Sequence, residues 1–325
     1  MKPRQATFLI LAVASFVLLN VSTATYLWLY IKREHYLAAI SAGKGTLNVL
    51  DYGAVCDGVS DDTNAFNEAL QDAHQHGTAV YVPGRTCQID GTIRLQMGTV
   101  IRSDGAILIH GRNSGALLNA VSVDDWVIEG PLTLIGSRVN QGQVGDETGL
   151  LISGANRFIV DKLTVRNFTG TGVELSGGKP SRAALGDRGK FAFLSIIDNH
   201  LGLSILDGTK YSAEYNLFTL MSLSGNDTAI KIVAGNNIIS TSNIVNNNNG
   251  ILLTDGLNHG HGIMNAVNIN HNKGFNLNVQ HVTNGFTFNG CHIYGDSETS
   301  GTVTLNDSKD INFFGCTLFP VAIAK

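Results

Sequence analysis

Three features of the sequence predict an all-β chain built as a single-stranded right-handed parallel β-helix. A short apolar motif recurs, two further apolar runs follow each copy, and glycine is abundant beside little charge. Of 325 residues, 37 are glycine, 5 are proline and 15% are charged. So few prolines exclude a Pro-rich disordered chain. The net charge of −4 has no basic stripe behind it, so nucleic acid is not an expected partner.

The repeat decides the fold class. A small residue followed by an alternating apolar stretch appears as Gly115-Ala116-Leu117-Leu118, Gly149-Leu150-Leu151-Ile152, Gly172-Val173-Glu174-Leu175 and Gly202-Leu203-Ser204-Ile205. It continues at Ala229, Gly250 and Gly274, and from Gly149 onward the steps are 23, 30, 27, 21 and 24 residues. A second run (Phe158-Ile159-Val160, Phe191-Ala192-Phe193-Leu194) and a third (Leu163-Thr164-Val165, Ile244-Val245) complete each coil. Short strands of period two bury one face, and only stacking on neighbouring coils, about 4.8 Å apart, covers that face. Asn199, Asn226 and Asn247 recur just before the motif, where they suit tight turns and an inter-coil ladder. An antiparallel sandwich with Asn-Gly hairpins is the alternative, and the regular spacing argues against it.

The elements outside the repeat follow in order. No residue from Phe8 to Ile31 is charged, and as a helix this run would reach ~36 Å, enough to span a bilayer. It reads as a transmembrane anchor over 8–31, behind a cytoplasmic stub over 1–7; a signal peptide cleaved near Ser22-Thr23-Ala24 is the alternative. Either places the rest outside the cytoplasm. Residues 32–46 read as a linker and 47–325 as the β-helix domain. Asp61-Asp62-Thr63, followed by Ala65, Phe66, Ala69, Leu70 and Ala73, reads as an N-capped amphipathic helix near 62–75 that caps the solenoid's open end. Cys56 and Cys87 pair as a disulfide or remain as buried thiols, and Cys291 and Cys316 stack in neighbouring coils. No Cys/His spacing suggests zinc; no cofactor is expected, and calcium lacks a supporting motif.

Leu50-Asp51-Tyr52-Gly53-Ala54-Val55-Cys56-Asp57-Gly58-Val59-Ser60-Asp61-Asp62-Thr63-Asn64-Ala65-Phe66 resembles the opening motif of the pectate-lyase-like superfamily. Gly77-Thr78-Ala79-Val80-Tyr81-Val82-Pro83-Gly84 resembles the strand that follows the capping helix there. The resemblance implies a carbohydrate substrate, usually an acidic or branched polymer. It is weak for chemistry, because function lives in sites grafted on folds. Gly260-His261-Gly262 is similar to a motif of polygalacturonase-type hydrolases in that group. Its register argues against that role, because His261 aligns with Asn236 on a second strand rather than with Asp227.

Coil alignment names a candidate site. With Leu150/Ile152, Val173/Leu175, Leu203/Ile205, Ile230/Ile232 and Ile251/Leu253 inward, alternation turns Glu147, Glu174, His200, Asp227 and Lys231 outward on one sheet. Stacked coils bring His200 beside Asp227, and a carboxylate next to an imidazole orients it and favours its charged form. Catalytic roles are expected for Glu174, His200, Asp227 and Lys231. In a lyase, His200 is the base and Lys231 or Arg188 the neutralising cation. In a hydrolase, Glu174 and Asp227, ~10 Å apart on alternate coils, act as an inverting pair. Glu147, Arg182, Asp187, Arg188, Asp207 and Tyr211 are expected to bind substrate, several of them from two long loops at 137–147 and 176–189. The expected function is a membrane-tethered lyase or glycoside hydrolase acting on an acidic glycan. A non-catalytic glycan-binding or virion scaffold is the alternative, since outward charges on a solenoid are also ordinary surface residues. A homotrimer fits such folds, although no coiled coil is present.

Overall fold

The computed structural model describes residues 45–112, 114–177, 189–208, 212–256, 260–296, 301–319 and 321–323. The chain divides into Met1–Gly45 and Thr46–Lys325. No helix among the described residues is long and apolar enough to cross a membrane. The expected anchor at 8–31 lies outside the described residues, as do Arg182, Asp187, Arg188 and Tyr211.

Thr46–Lys325 is a parallel β-helix. Among the described residues every pairing between its strands is parallel, and each strand bonds to its counterpart one coil away. Among the described residues, one face of the coil is a ten-stranded sheet and the other two faces join into a twenty-stranded one. A single coil shows the plan: Asn237–Ser240, Asn243–Val245, then Asn249–Thr254 in the ten-stranded sheet. Leu150, Ile152, Val173, Leu175, Leu203, Ile205, Ile230, Ile232, Ile251 and Leu253, expected inward, are all buried. Trp126 is buried too, stacked on Phe158 at 4.6 Å in an aromatic column that continues to Phe191 and Phe218.

The corners explain how such short strands turn. Lys162, Phe193, Leu220, Thr241 and Ala266 stack at one corner with left-handed φ, and Asn167, Asp198, Asn246 and His271 do so at the next. A left-handed residue reverses the side-chain alternation, which is why Phe193 and Leu220 face solvent. Behind the second corner lies the asparagine ladder. The Nδ2 of Asn199 donates to Oδ1 of Asn226, Asn226 to Asn247, and Asn247 to Asn272, at 3.0, 2.9 and 3.0 Å. Asn216 and Asn237 form a second, shorter ladder.

The helix spans Thr63–His76 and buries Ala65, Phe66, Ala69, Leu70 and Ala73. In the first coil it takes the place of a strand beside Ile93–Arg94. There Asn67 serves the sheet's free edge, accepting from the Arg94 amide and donating to the Thr92 carbonyl. The capping differs from expectation. The Asp62 carboxylate turns away from the helix to accept the Val55 and Cys56 amides, and Asp61 accepts the Thr63 amide instead. Cys56 and Cys87 form a disulfide. Cys291 and Cys316 carry free thiols, the Cys291 amide donating to the Cys316 sulfur at 3.3 Å.

Candidate functional site

The ladder fixes the residues that follow it. Because Asn199, Asn226 and Asn247 are locked inward, the next residue of each coil projects outward at the mouth of the ten-stranded sheet. Backbone bonds between coils align Glu147, Gly170, His200, Asp227, Asn248 and Lys273 at this position. Within it His200 Nδ1 lies 2.9 Å from Asp227 Oδ2. Asn248 Nδ2 donates to Asp227 Oδ1 at 3.1 Å. A third group arrives from the 137–147 loop: Arg138 Nη2 ion-pairs with Asp227 Oδ1 at 2.7 Å, while its Nη1 donates to the Asp198 carbonyl.

Electrostatics follow from these contacts. Burial pushes the Asp227 carboxyl up, but the His200 hydrogen bond and the Arg138 guanidinium outweigh it and hold the group below its ordinary value. A carboxylate that stays ionised can only accept from His200. The imidazole therefore carries its proton on Nδ1 when neutral, and its Nε2 lone pair is the reactive one. The His200 side chain is 38% exposed and Asp227 16%, so the imidazole is partly open to solvent while the carboxylate is largely withdrawn.

Glu147 requires a correction. Alternation turned it outward as a substrate ligand, whereas it is 0% exposed. Its carboxylate accepts from His110 Nδ1 at 2.9 Å and from the amides and hydroxyls of Ser137 and Thr169. Burial pushes Glu147 up, and these bonds reverse the shift and lower it. The strand rule failed because a long loop, not a strand, delivers Glu147 to its coil. Gly170 makes that possible: a Cβ there would sit 2.6 Å from the Glu147 carbonyl oxygen.

Glu174 and Lys231 are outward as expected, but they share a different row. Register places Leu151, Glu174, Ser204, Lys231, Leu252 and Asn278 in line. That row lies four residues along the strands from His200 and Asp227, roughly 13 Å at ~3.3 Å per residue. Glu174 and Asp227 are thus roughly 16 Å apart at their backbones, beyond the ~6.5–9.5 Å of an inverting pair before side chains converge. Burial raises the Glu174 pKa. Asp207 follows the strand Leu201–Leu206, at the end away from His200. His261 Nε2 lies 2.8 Å from Asn236 Oδ1, in the register expected for it and away from Asp227. Arg138 was missed, since a residue inside an insertion has no place in the repeat.

The opening motif and the parallel coils define the chain as a parallel β-helix scaffold. Residues 46–130 match the family model for rhamnogalacturonase A/epimerase, pectate lyase-like. No curated protein matches the chain by sequence. Among solved structures, the A-module of mannuronan C-5 epimerase AlgE4 from Azotobacter vinelandii superposes with a TM-score of 0.67 at 15% identity, covering 84% of this chain and 77% of that one. The AlgE6 A-module from the same organism gives 0.63 at 16%, with 82% and 78% covered. The enzymatically active domain of bacteriophage CBA120 tailspike protein 2 gives 0.64 at 12%, covering 86% of this chain and 47% of that one. The likeness to a pectate-lyase-like family model thus covers residues 46–130, and the solved structures share the parallel β-helix fold with this chain.

Proposed function

We propose that the chain is an exported, polysaccharide-active enzyme that removes a proton next to the carboxylate of an acidic sugar unit, with His200 Nε2 as the base. The observation that carries this reading is the Arg138–Asp227–His200 chain of contacts. Both Asp227 oxygens are engaged, one by Arg138 and Asn248 and one by His200. Such a carboxylate is poorly placed to attack an anomeric carbon or a water, and well placed to orient an imidazole. The hydrolase reading, which needs Asp227 as a free second carboxylate, loses ground for the same reason. Proton removal opens two outcomes: elimination of the glycosidic bond, as in a lyase, or return of a proton to the opposite face, as in an epimerase. Mannuronan epimerase modules and an enzymatically active tailspike domain among the similar folds support a polymer as substrate. Lys231, in the other row, then binds a neighbouring carboxylate of the polymer rather than the reacting one. Residues 8–31 serve as the membrane tether or export signal, and the Cys56–Cys87 disulfide fits an oxidising compartment outside the cytoplasm.

The test is incubation with a panel of uronate polymers in D2O. Ultraviolet absorbance of an unsaturated uronate marks a lyase, and deuterium at the carbon next to the carboxylate without chain cleavage marks an epimerase. His200→Ala should reduce either rate by about 10²–10⁴-fold. New reducing ends without unsaturation or deuterium would refute the mechanism. Binding without any turnover would leave a glycan-binding scaffold.

A further inference from the structure

The loop that carries Arg138 is closed by a single carboxylate. Glu147, at its end, grips Ser137, at its beginning: the Ser137 amide lies 3.1 Å from both carboxylate oxygens and its hydroxyl 2.9 Å from Oε2. The same carboxylate accepts from His110 on the preceding coil and from Thr169 on the following one. One buried anion thereby pins three coils and both ends of an insertion. Between those ends the loop is exposed, with Val139 and Val144 in solvent, yet Arg138, next to the gripped serine, is 3% exposed. Its amide donates to the Asn167 carbonyl at 2.7 Å, and its guanidinium runs on to Asp198 and Asp227. Gly145 completes the fit, since a Cβ there would meet the Thr169 hydroxyl at 2.6 Å.

From this geometry we infer that Glu147, with His110, is a positioning residue for the reacting pair: it holds the loop so that Arg138 reaches Asp227. The proposal rests on reading Asp227–His200 as the reacting pair, and it adds that this pair is set from a buried anion it never touches. A carboxylate enclosed by five donor groups on three coils is a stiff anchor. A guanidinium on a four-bond tether needs one if it is to stay on a partly exposed carboxylate.

Its test needs no substrate. The Asp227 carboxyl is labelled with ¹³C and titrated by NMR in the full β-helix chain, the resonance being assigned by its loss in Asp227→Asn. Arg138→Met should move the Asp227 midpoint upward, because a neighbouring cation is gone. Glu147→Gln should move it the same way, and the double variant should move it no further than Arg138→Met alone. Near-ultraviolet circular dichroism checks that each variant is folded. Should Glu147→Gln fail to fold, Ser137→Ala removes the shortest loop bond and should give a smaller upward shift. A folded Glu147→Gln or Ser137→Ala chain with the wild-type Asp227 midpoint, where Arg138→Met is shifted, overturns the proposal. The reading of the reacting pair fails separately, if turnover on any polymer survives His200→Ala.

Discussion

Replacing Asn226 by alanine tests the link between fold and site most directly. Asn226 is 0% exposed and sits one residue before Asp227. Its Oδ1 accepts the Asn199 amide and the Asn199 Nδ2, each at 3.0 Å. Its Nδ2 serves the Ile196 carbonyl at 3.0 Å, the Ser224 carbonyl at 3.1 Å and Asn247 Oδ1 at 2.9 Å. Some partners survive the change: Ser224 still accepts from the Asp198 amide, Asn247 from the Asn226 amide, and Asn199 Nδ2 keeps the Val165 carbonyl. The Asn199 amide loses its bond to the Asn226 side chain. An orphaned buried donor costs about 1–3 kcal/mol, and each further net bond lost about 1 kcal/mol. Asn226→Ala should therefore destabilise the chain by about 3–5 kcal/mol. Asn226→Asp should be worse at neutral pH, since it turns an ionised oxygen on three acceptors. The assay is urea unfolding by far-ultraviolet circular dichroism, with exchange of the Asn199 amide as the local reporter and the exposed Asn268→Ala as control. An effect of Asn226→Ala no larger than that of Asn268→Ala, with Asn199 still protected, would refute the role given to the ladder.

Three other outcomes are expected. Because folded Glu147 lies below its ordinary value, its stabilisation is present above the unfolded carboxylate value and is lost as pH falls through the folded one. Glu147→Gln should flatten that part of the acid-unfolding curve while lowering stability near neutrality by about 3–5 kcal/mol. Reducing the Cys56–Cys87 disulfide, whose ends are 31 positions apart in sequence, should cost about 3–4 kcal/mol on the chain-entropy account, read as a lower urea midpoint that Cys56→Ser reproduces. Phe191→Ala removes the middle of the aromatic column, between Phe158 and Phe218, and should lower stability by about 3–5 kcal/mol in the same urea titration.

Much of this architecture could be read from residue order alone. The inward pairs from Leu150/Ile152 to Ile251/Leu253, the ladder of Asn199, Asn226 and Asn247 and the contact of His200 with Asp227 all follow from period and register, and the Cys56–Cys87 disulfide is one of two options for an exported chain. What was hidden lay where period stops. Glu147 obeys the alternation by number, yet a loop delivers it to a buried place prepared by His110, a residue 37 positions earlier. Arg138 belongs to no repeat, so nothing in the spacing joins it to Asp227. The four-residue offset between the Glu174–Lys231 row and the His200–Asp227 column was countable. It follows from the same alignment, and it opposes the ~10 Å separation expected for Glu174 and Asp227, which counted coils and left out the distance along the strands.

The asparagine ladder also sets a unit of growth. Asn226 and Asn247 stand 21 residues apart, and every inward residue between them has its stacking counterpart one turn on: Ile230 with Ile251, Ile232 with Leu253. Excising residues 228–248 would join Asp227 to Asn249 and substitute each side chain by the neighbour already beneath it. The length of this molecule is therefore counted in whole turns, and lineages are free to add or drop one without rebuilding the core. The reacting pair would survive such an edit, but Lys273 would move up beside Asp227 in place of Asn248. In a solenoid, a change of length is at the same time a change of chemistry.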